Sequence, residues 1–331
     1  MITGKYKDKD VSSYILENEY LKVEVMNLGA TLVSLFDKRT KRDIVLGFED
    51  LDGYLNQHGT YFGATVGRCA NRIAEGKFTI NGIAYQAPIN NGPNSLHGGN
   101  DNFSFKVFDV EIKDNAIVFT CHSRDGEEGY PGNLDLKITY TLDENHLLYQ
   151  IEGLSDQDTI LNITNHSYFN LSGAKENVLN HDLKIYSDKV AMVDEFGLTK
   201  DEVIDVRDTD FDFLNFDKVA KAINSHHENI ISARGLDHNY VFETFEPKKM
   251  AELKFDGLTL KVESDLPGMH VYSGNYIDGE VAGKQGNYYQ ERDGICFECQ
   301  YYPNAINYTK YLKPILKKGV KMQHFIKYTI D

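Results

Sequence analysis

Ala251-Glu-Leu-Lys-Phe-Asp-Gly-Leu-Thr-Leu-Lys-Val262 is the stretch that decides the fold. Apolar and polar residues alternate on both sides of Asp256-Gly257, the period-two mark of strands with one buried face. Asp-Gly supplies the positive φ angles of a tight hairpin turn, so the segment reads as two antiparallel strands. Working outward, the same alternation recurs in Leu21-Lys-Val-Glu-Val25, Val107-Phe-Asp-Val-Glu-Ile112, Leu134-Asp-Leu-Lys-Ile-Thr-Tyr140 and Leu147-Leu-Tyr-Gln-Ile151. Two Asn-Gly pairs (Asn81-Gly82, Asn91-Gly92) and further Asp-Gly pairs at 52, 125, 278 and 293 predict more turns. Aromatic residues are Tyr (21) and Phe (18) with no Trp, a choice that suits half-buried pleated surfaces. Helical periodicity is confined to a short piece near Asp217–Ile223, and nothing supports alternating strands and helices. Without a fixed-period repeat or a Pro/Ser-rich linker, residues 1–331 are expected to form one all-β antiparallel domain.

Composition narrows the function. With 35 Lys plus Arg against 50 Asp plus Glu, the formal charge is −15, which repels phosphate backbones and anionic lipid. Neither nucleic acid nor a membrane is therefore an expected partner, and no run approaches the roughly 18 apolar residues of a membrane span. The N-terminal Met1-Ile-Thr-Gly-Lys-Tyr-Lys-Asp-Lys-Asp10 lacks the apolar core of a secretory signal, so a cytoplasmic location is expected. Four cysteines (Cys69, Cys121, Cys296, Cys299) are too few for a disulfide framework in a chain of this length.

Nucleotide-binding and serine-hydrolase signatures are absent from the sequence. Asp208-Thr-Asp-Phe-Asp212 begins like a calcium loop, but its sixth position is Phe213 and its twelfth Val219, so it reads as a solvated acidic loop. Cys296-Phe-Glu-Cys299 lies in a strand-like run, where alternation sends the two thiols to opposite faces and places Glu298 on the face of Cys296 and Gln300. A carboxylate amid such apolar neighbours is costly unless partnered or functional. Segments 63–72, 90–100, 162–173 and 234–240 are rich in hydrogen-bonding side chains, the kind of loop from which ligand sites are built on a β scaffold. Taken singly, His166, His97, Asp237 and Arg72 are each compatible with a structural hydrogen bond or ion pair.

Six of these segments occur in one order across most of the chain: Gly67-Arg-Cys-Ala-Asn-Arg-Ile-Ala74, Asn94-Ser-Leu-His-Gly-Gly99, Asp125-Gly-Glu-Glu-Gly-Tyr-Pro-Gly132, Asn162-Ile-Thr-Asn-His-Ser-Tyr-Phe-Asn-Leu171, Gly235-Leu-Asp-His-Asn239 and Cys296-Phe-Glu298. Together they resemble the landmarks of the aldose 1-epimerases, the galactose mutarotase family. The resemblance implies a large antiparallel β-sandwich (a supersandwich) with very few short helices and a polar sugar cleft on one sheet. It implies Glu298 as general base and His166 as general acid, with Asn71, Arg72, His97, Tyr168 and Asp237 holding sugar hydroxyls. His270 stands where relatives often carry Gln, and Tyr276 where they often carry Phe, which bears on hexose preference. The implied reaction, interconversion of the α and β anomers of a free aldose such as galactose or glucose, needs neither metal nor organic cofactor. An ordinary Glu/His pair near neutral pH would supply a carboxylate base and an imidazole partly charged, with Glu298 helping to keep that charge. The competing expectations are a hexose-6-phosphate epimerase-like relative, a non-catalytic carbohydrate-binding protein, and a glycoside hydrolase or lyase with two carboxylates. Monomer and homodimer both remain open, as does the role of segment 199–232.

Overall fold

The computed structural model describes residues 1–56 and 59–331. Three antiparallel sheets hold most of the strand residues. A five-stranded sheet runs in chain order from Thr3–Tyr6 through Lys9–Glu17, Leu21–Met26 and Thr31–Asp37 to Arg42–Asp43. The nine-stranded sheet has the spatial order Asp109–Ile112, Ala116–Ser123, Leu134–Asp143, His146–Ser155, Met322–Ile330, Leu258–Ser264, Lys248–Phe255, Asp182–Ile185 and Asp217–Lys218. The six-stranded sheet runs Tyr168–Phe169, Ile295–Gln300, Gly268–Tyr272, Asp237–Val241, Lys189–Val193 and Thr199–Asp205.

Alternation explains how the sheets share a core. Ile138, Tyr149, Leu253, Leu260 and Val262 of the nine-stranded sheet join one apolar cluster with Val190, Met269, Val271, Ile295 and Phe297 of the six-stranded sheet. The rings of Phe169 and Tyr328 meet across the two sheets at 5.0 Å. Each large side chain removed from water contributes about 1.5–3 kcal/mol, so this shared cluster sets the stacking of the sheets. The period of two then leaves Glu298, His270, Tyr272 and Asp237 on the other face of the six-stranded sheet.

The hairpin read at 251–262 pairs Phe255 with Leu258 around Asp256 (φ 46°) and Gly257 (φ 78°). Asn81-Gly82 likewise turns Lys77–Ile80 back onto Ile83–Gln86. Two Asp-Gly pairs differ from expectation. Asp52-Gly53 lies within the short helix Leu51–Leu55, where Asp50 caps by accepting from the Gly53 N–H at 3.0 Å, and Asp293-Gly294 leads directly into Ile295–Gln300. The helical piece near 217–223 is shorter than the sequence pattern: Asp217–Lys218 is an edge strand and only Ala220–Ile223 is helical. A third helix, Glu228–Ser232, went unread because it is barely more than one turn long. Segment 199–232 is thus a strand, a turn, a two-residue edge strand and two short helices that pack Ile230 and Ala222 into the core. Among the described residues no helix is long and apolar enough to cross a membrane.

The acidic run at 208–212 makes local hydrogen bonds. Thr209 and Asp212 accept from the backbone N–H groups of Phe211 and Leu214, and Asp210 accepts from the Ser225 hydroxyl.

Candidate active site

A cleft of about 470 Å³ opens on the outer face of the six-stranded sheet, and it brings together all nine side chains singled out in the sequence: Asn71, Arg72, His97, His166, Tyr168, Asp237, His270, Tyr276 and Glu298. Strand pairing sets its floor, since His270 lies directly opposite Glu298 on one neighbour and opposite Asn239 on the other. Tyr168 pairs with Cys296, which brings the segment carrying His166 alongside the strand of Glu298.

His166 Nε2 stands 3.6 Å from Glu298 Oε1, both residues being buried. The ring of His166 stacks on Tyr168 at 5.2 Å and meets His97 edge-on at 5.3 Å. Behind it, Nδ1 lies 3.7 Å from the thiol of Cys296, whereas Cys299 faces the shared core, as the alternation required. Among the described residues Glu298 Oε2 is buried without a hydrogen-bond partner, a polar atom facing the cleft that a hydroxyl could satisfy.

The electrostatics differ from the expected ordinary pair. Burial pushes the Glu298 carboxyl well above its usual range, with the Asp237 anion adding to the shift and Arg72 opposing it. Burial also pulls His166 down to about 4, against a hydrogen bond to its own backbone. The pair therefore favours carboxylic acid and neutral imidazole, not carboxylate and imidazolium. One proton is shared in either arrangement, and desolvation disfavours the separated charges.

Asp237 accepts from His270 Nε2 at 2.6 Å. Burial works against the Asp237 charge, but this bond, the nearby His270 and Arg72 together hold its carboxyl well below the usual range. Arg72 donates from Nε to Asn91 Oδ1 and from a terminal nitrogen to the Gly197 carbonyl, each at 3.0 Å, so it fastens two loops of the cleft wall. Tyr276 stands at the rim, 53% exposed, with the Arg234 guanidinium over its ring. His97 and Asn71 are locked by a reciprocal pair: the His97 N–H donates to the Asn71 carbonyl, and the Asn71 N–H donates to His97 Nδ1, both at 3.1 Å.

That pair decides whether the cleft can hold a metal. Potential ligand atoms of His97, His166 and Glu298 lie within 4.8 Å of one another. However, Nδ1 of His97 is occupied as an acceptor, and in the neutral ring its proton then sits on Nε2. Burial keeps this ring neutral by pulling its pKa well below the usual value. One nitrogen is blocked and the other is a donor, so His97 is fitted to donate to a hydroxyl, not to ligate a cation.

Sequence reasoning missed several lining residues. Tyr272 lies two positions beyond His270 on one strand, so alternation from His270 points to it. Tyr61 packs edge-on against His97 at 5.0 Å, and the segment 193–197 forms a wall; neither carries a signal at the sequence level.

Comparison with known proteins identifies the family. The family model described as Aldose 1-epimerase matches residues 12–329. The galactose mutarotase of Sus scrofa is 38% identical over 95% of this chain and 92% of its own length, and the aldose 1-epimerase of Escherichia coli K12 is 30% identical over 94% and 92%. The crystal structure of galactose 1-epimerase from Lactobacillus acidophilus superposes with a TM-score of 0.88 at 30% identity, covering 99% of this chain and 96% of that one. An aldose epimerase homologue from C. elegans gives 0.89 at 27% identity, covering 97% and 99%. The chain belongs to the aldose 1-epimerase family, a family of isomerases.

Proposed function

We propose that this protein interconverts the α and β anomers of free aldohexoses, galactose and glucose being the first candidates, with Glu298 and His166 as its acid–base pair. The observation that carries the assignment is their 3.6 Å separation in a polar cleft whose walls offer hydroxyl-binding side chains. When a sugar enters, its O1–H donates to Glu298, and proton transfer across the pair leaves carboxylate and imidazolium. Glu298 then takes the O1 proton while His166 gives its proton to the ring oxygen O5, and the C1–O5 bond breaks to the open-chain aldehyde. Rotation about C1–C2 presents the other carbonyl face. O5 then attacks C1, His166 recovers the proton from O5, and Glu298 returns its proton to O1.

His97 donates from Nε2 to a sugar hydroxyl in this reading, and Asp237, held anionic by His270, accepts from others. Asn71, Arg72 and Tyr168 shape the remaining polar wall, and Tyr276 offers a ring face at the rim. Among the described lining residues Arg72 is the one Lys or Arg, and it is committed to Asn91 and Gly197, while Asp194, Glu195, Asp237 and Glu298 are acidic. That balance favours a neutral sugar over a sugar phosphate. Residues 1–331 act as one unit, a reading supported by a core cluster that draws on residues from Leu16 to Ile330. A cytoplasmic setting is supported by the four unpaired cysteines.

Polarimetry of freshly dissolved α-D-galactose and α-D-glucose tests the proposal. Faster relaxation to an unchanged final rotation, with and without chelator, is the expected result. No acceleration with either sugar overturns it.

A further inference from the structure

Two side chains outside the cleft, the buried His238 and the half-buried Asn229, stand where the six-stranded sheet comes apart. The strands Lys189–Val193 and Asp237–Val241 are antiparallel neighbours whose register is set by Val190 opposite Tyr240. Continued by that register, Val193 would pair with Asp237. Instead, the side-chain amide of Asn229 takes the place of a neighbouring strand: its Oδ1 accepts from the Val193 N–H at 2.9 Å, and its Nδ2 donates to the Val193 carbonyl at 2.7 Å. The imidazole of His238 fills the remaining gap, with Nε2 3.0 Å from Asn229 Oδ1 and Nδ1 accepting from the Asp237 N–H at 3.0 Å.

Every proton in this chain of bonds is fixed by the backbone. The Val193 N–H identifies Oδ1 as an acceptor, so His238 Nε2 must donate to it, and Nδ1 is then the lone pair that the Asp237 N–H requires. Burial pulls His238 down to about 3, which keeps the ring neutral and Nδ1 available. Phe211 packs edge-on against the ring at 4.7 Å and limits its movement.

What the bridge joins is both sides of the cleft. At one end is Asp237. At the other is Val193, the start of the 193–197 wall, whose turn is tightened by Asp194 accepting from Phe196 and Leu198 and whose Gly197 carbonyl receives Arg72. Asn229 sits in the helix Glu228–Ser232, which ends at the lining residues Ser232 and Ala233.

We propose that His238 and Asn229 are positioning residues for the sugar: an imidazole–carboxamide spacer that holds the Asp237 strand and the 193–197 wall at the separation one hexose requires. This rests on the mutarotase reading of the cleft. Neither side chain lines the cleft, so neither is a catalytic residue, and their effect passes through Asp237 and the wall. Because loss of the spacer shifts Asp237 and the wall without removing the Asp237 carboxylate, and leaves Glu298 and His166 in place, a sugar once bound is still anchored, so binding weakens more than turnover, unlike deletion of Asp237 itself.

The test is initial-rate polarimetry on the parent protein, Asn229→Ala, His238→Ala, the double variant and His238→Gln, with a thermal melt of each. Expected is a KM raised about tenfold in each alanine variant with kcat within about threefold of the parent, and a double variant no worse than the more affected single one, since both act through one bridge. His238→Gln, which retains a donor for Asn229 Oδ1, is expected between parent and alanine. Should His238→Ala fail to fold, Asn229→Ala and His238→Gln carry the test. A parent-like KM in Asn229→Ala, or a lowered melting temperature with KM unchanged, overturns the proposal, as does a double variant whose KM change is the product of the two singles. A parent that accelerates neither sugar would instead overturn the mutarotase reading beneath it.

Discussion

Glu298 and Phe297 are sequence neighbours with opposite tasks, one facing the cleft and one the shared core. Removing the carboxylate or the imidazole alone, as in Glu298→Gln or His166→Asn, is expected to lower kcat by at least about a hundredfold with the fold intact, as single-turnover rates and circular dichroism would show. Asp237→Ala is expected to raise KM and also to lower kcat, because a loosely held sugar misplaces O1 and O5; unchanged isotherms and turnover would make Asp237 structural. The pH profile follows from the pair. Activity needs one proton shared between Glu298 and His166, so kcat/KM is lost on the acid side as a second proton enters near His166's value of about 4. On the alkaline side it is lost only well above the ordinary carboxylate range, because burial raises Glu298. A profile bounded by ordinary values of about 4.3 and 6.5 would contradict this. At this scale the sequence was informative about which residues meet, since ordered motifs carry them. It was silent on protonation, because desolvation and the backbone N–H that fixes the His97 tautomer are properties of the assembled cleft.

Strands and turns were the most legible elements, and the reason is local. At Gly257 of the Asp256-Gly257 turn an added Cβ meets nothing within 4 Å, though its φ is +78°, so the glycine serves the turn's backbone alone. Gly98, next to His97, is different, for an added Cβ would stand 2.1 Å from the Gly67 carbonyl oxygen at a φ of +94°. Gly257→Ala is therefore expected to cost about 1 kcal/mol with activity intact, read from a denaturant midpoint. Gly98→Ala is expected to cost more than about 2 kcal/mol and to lower activity as well, because relieving the clash moves His97. Short helices were read poorly for the opposite reason. Glu228–Ser232 is held by Asn229 on Val193 and by Ile230 in the core, contacts between residues far apart in the chain that no local periodicity announces.

Across the whole molecule, four buried histidines make stability depend on acidity, His97 among them, since burial pulls it well below its usual value. Burial pulls His166 and His181 to about 4 and His238 to about 3, below the unfolded value of 6.5. At these rings the folded state thus binds fewer protons than the unfolded chain in this interval, which outweighs the one extra proton that burial keeps on Glu298. The stability they contribute is complete above pH 6.5 and is lost as pH falls through those lower values, at ~1.4 kcal/mol per unit for each group. A melting temperature that falls steadily from pH 7 to pH 4 is the expected result, and a flat one would count against the burial of these rings. The sheet count and the stacking were beyond sequence reasoning, since the nine-stranded order joins strands that lie far apart along the chain. Met322–Ile330 occupies the middle of that sheet, between His146–Ser155 and Leu258–Ser264. During translation, two half-sheets must therefore wait with raw edges toward each other until Ile330 has left the ribosome. Until then every nascent chain is one unpaired strand short of closure and open to pairing with another copy.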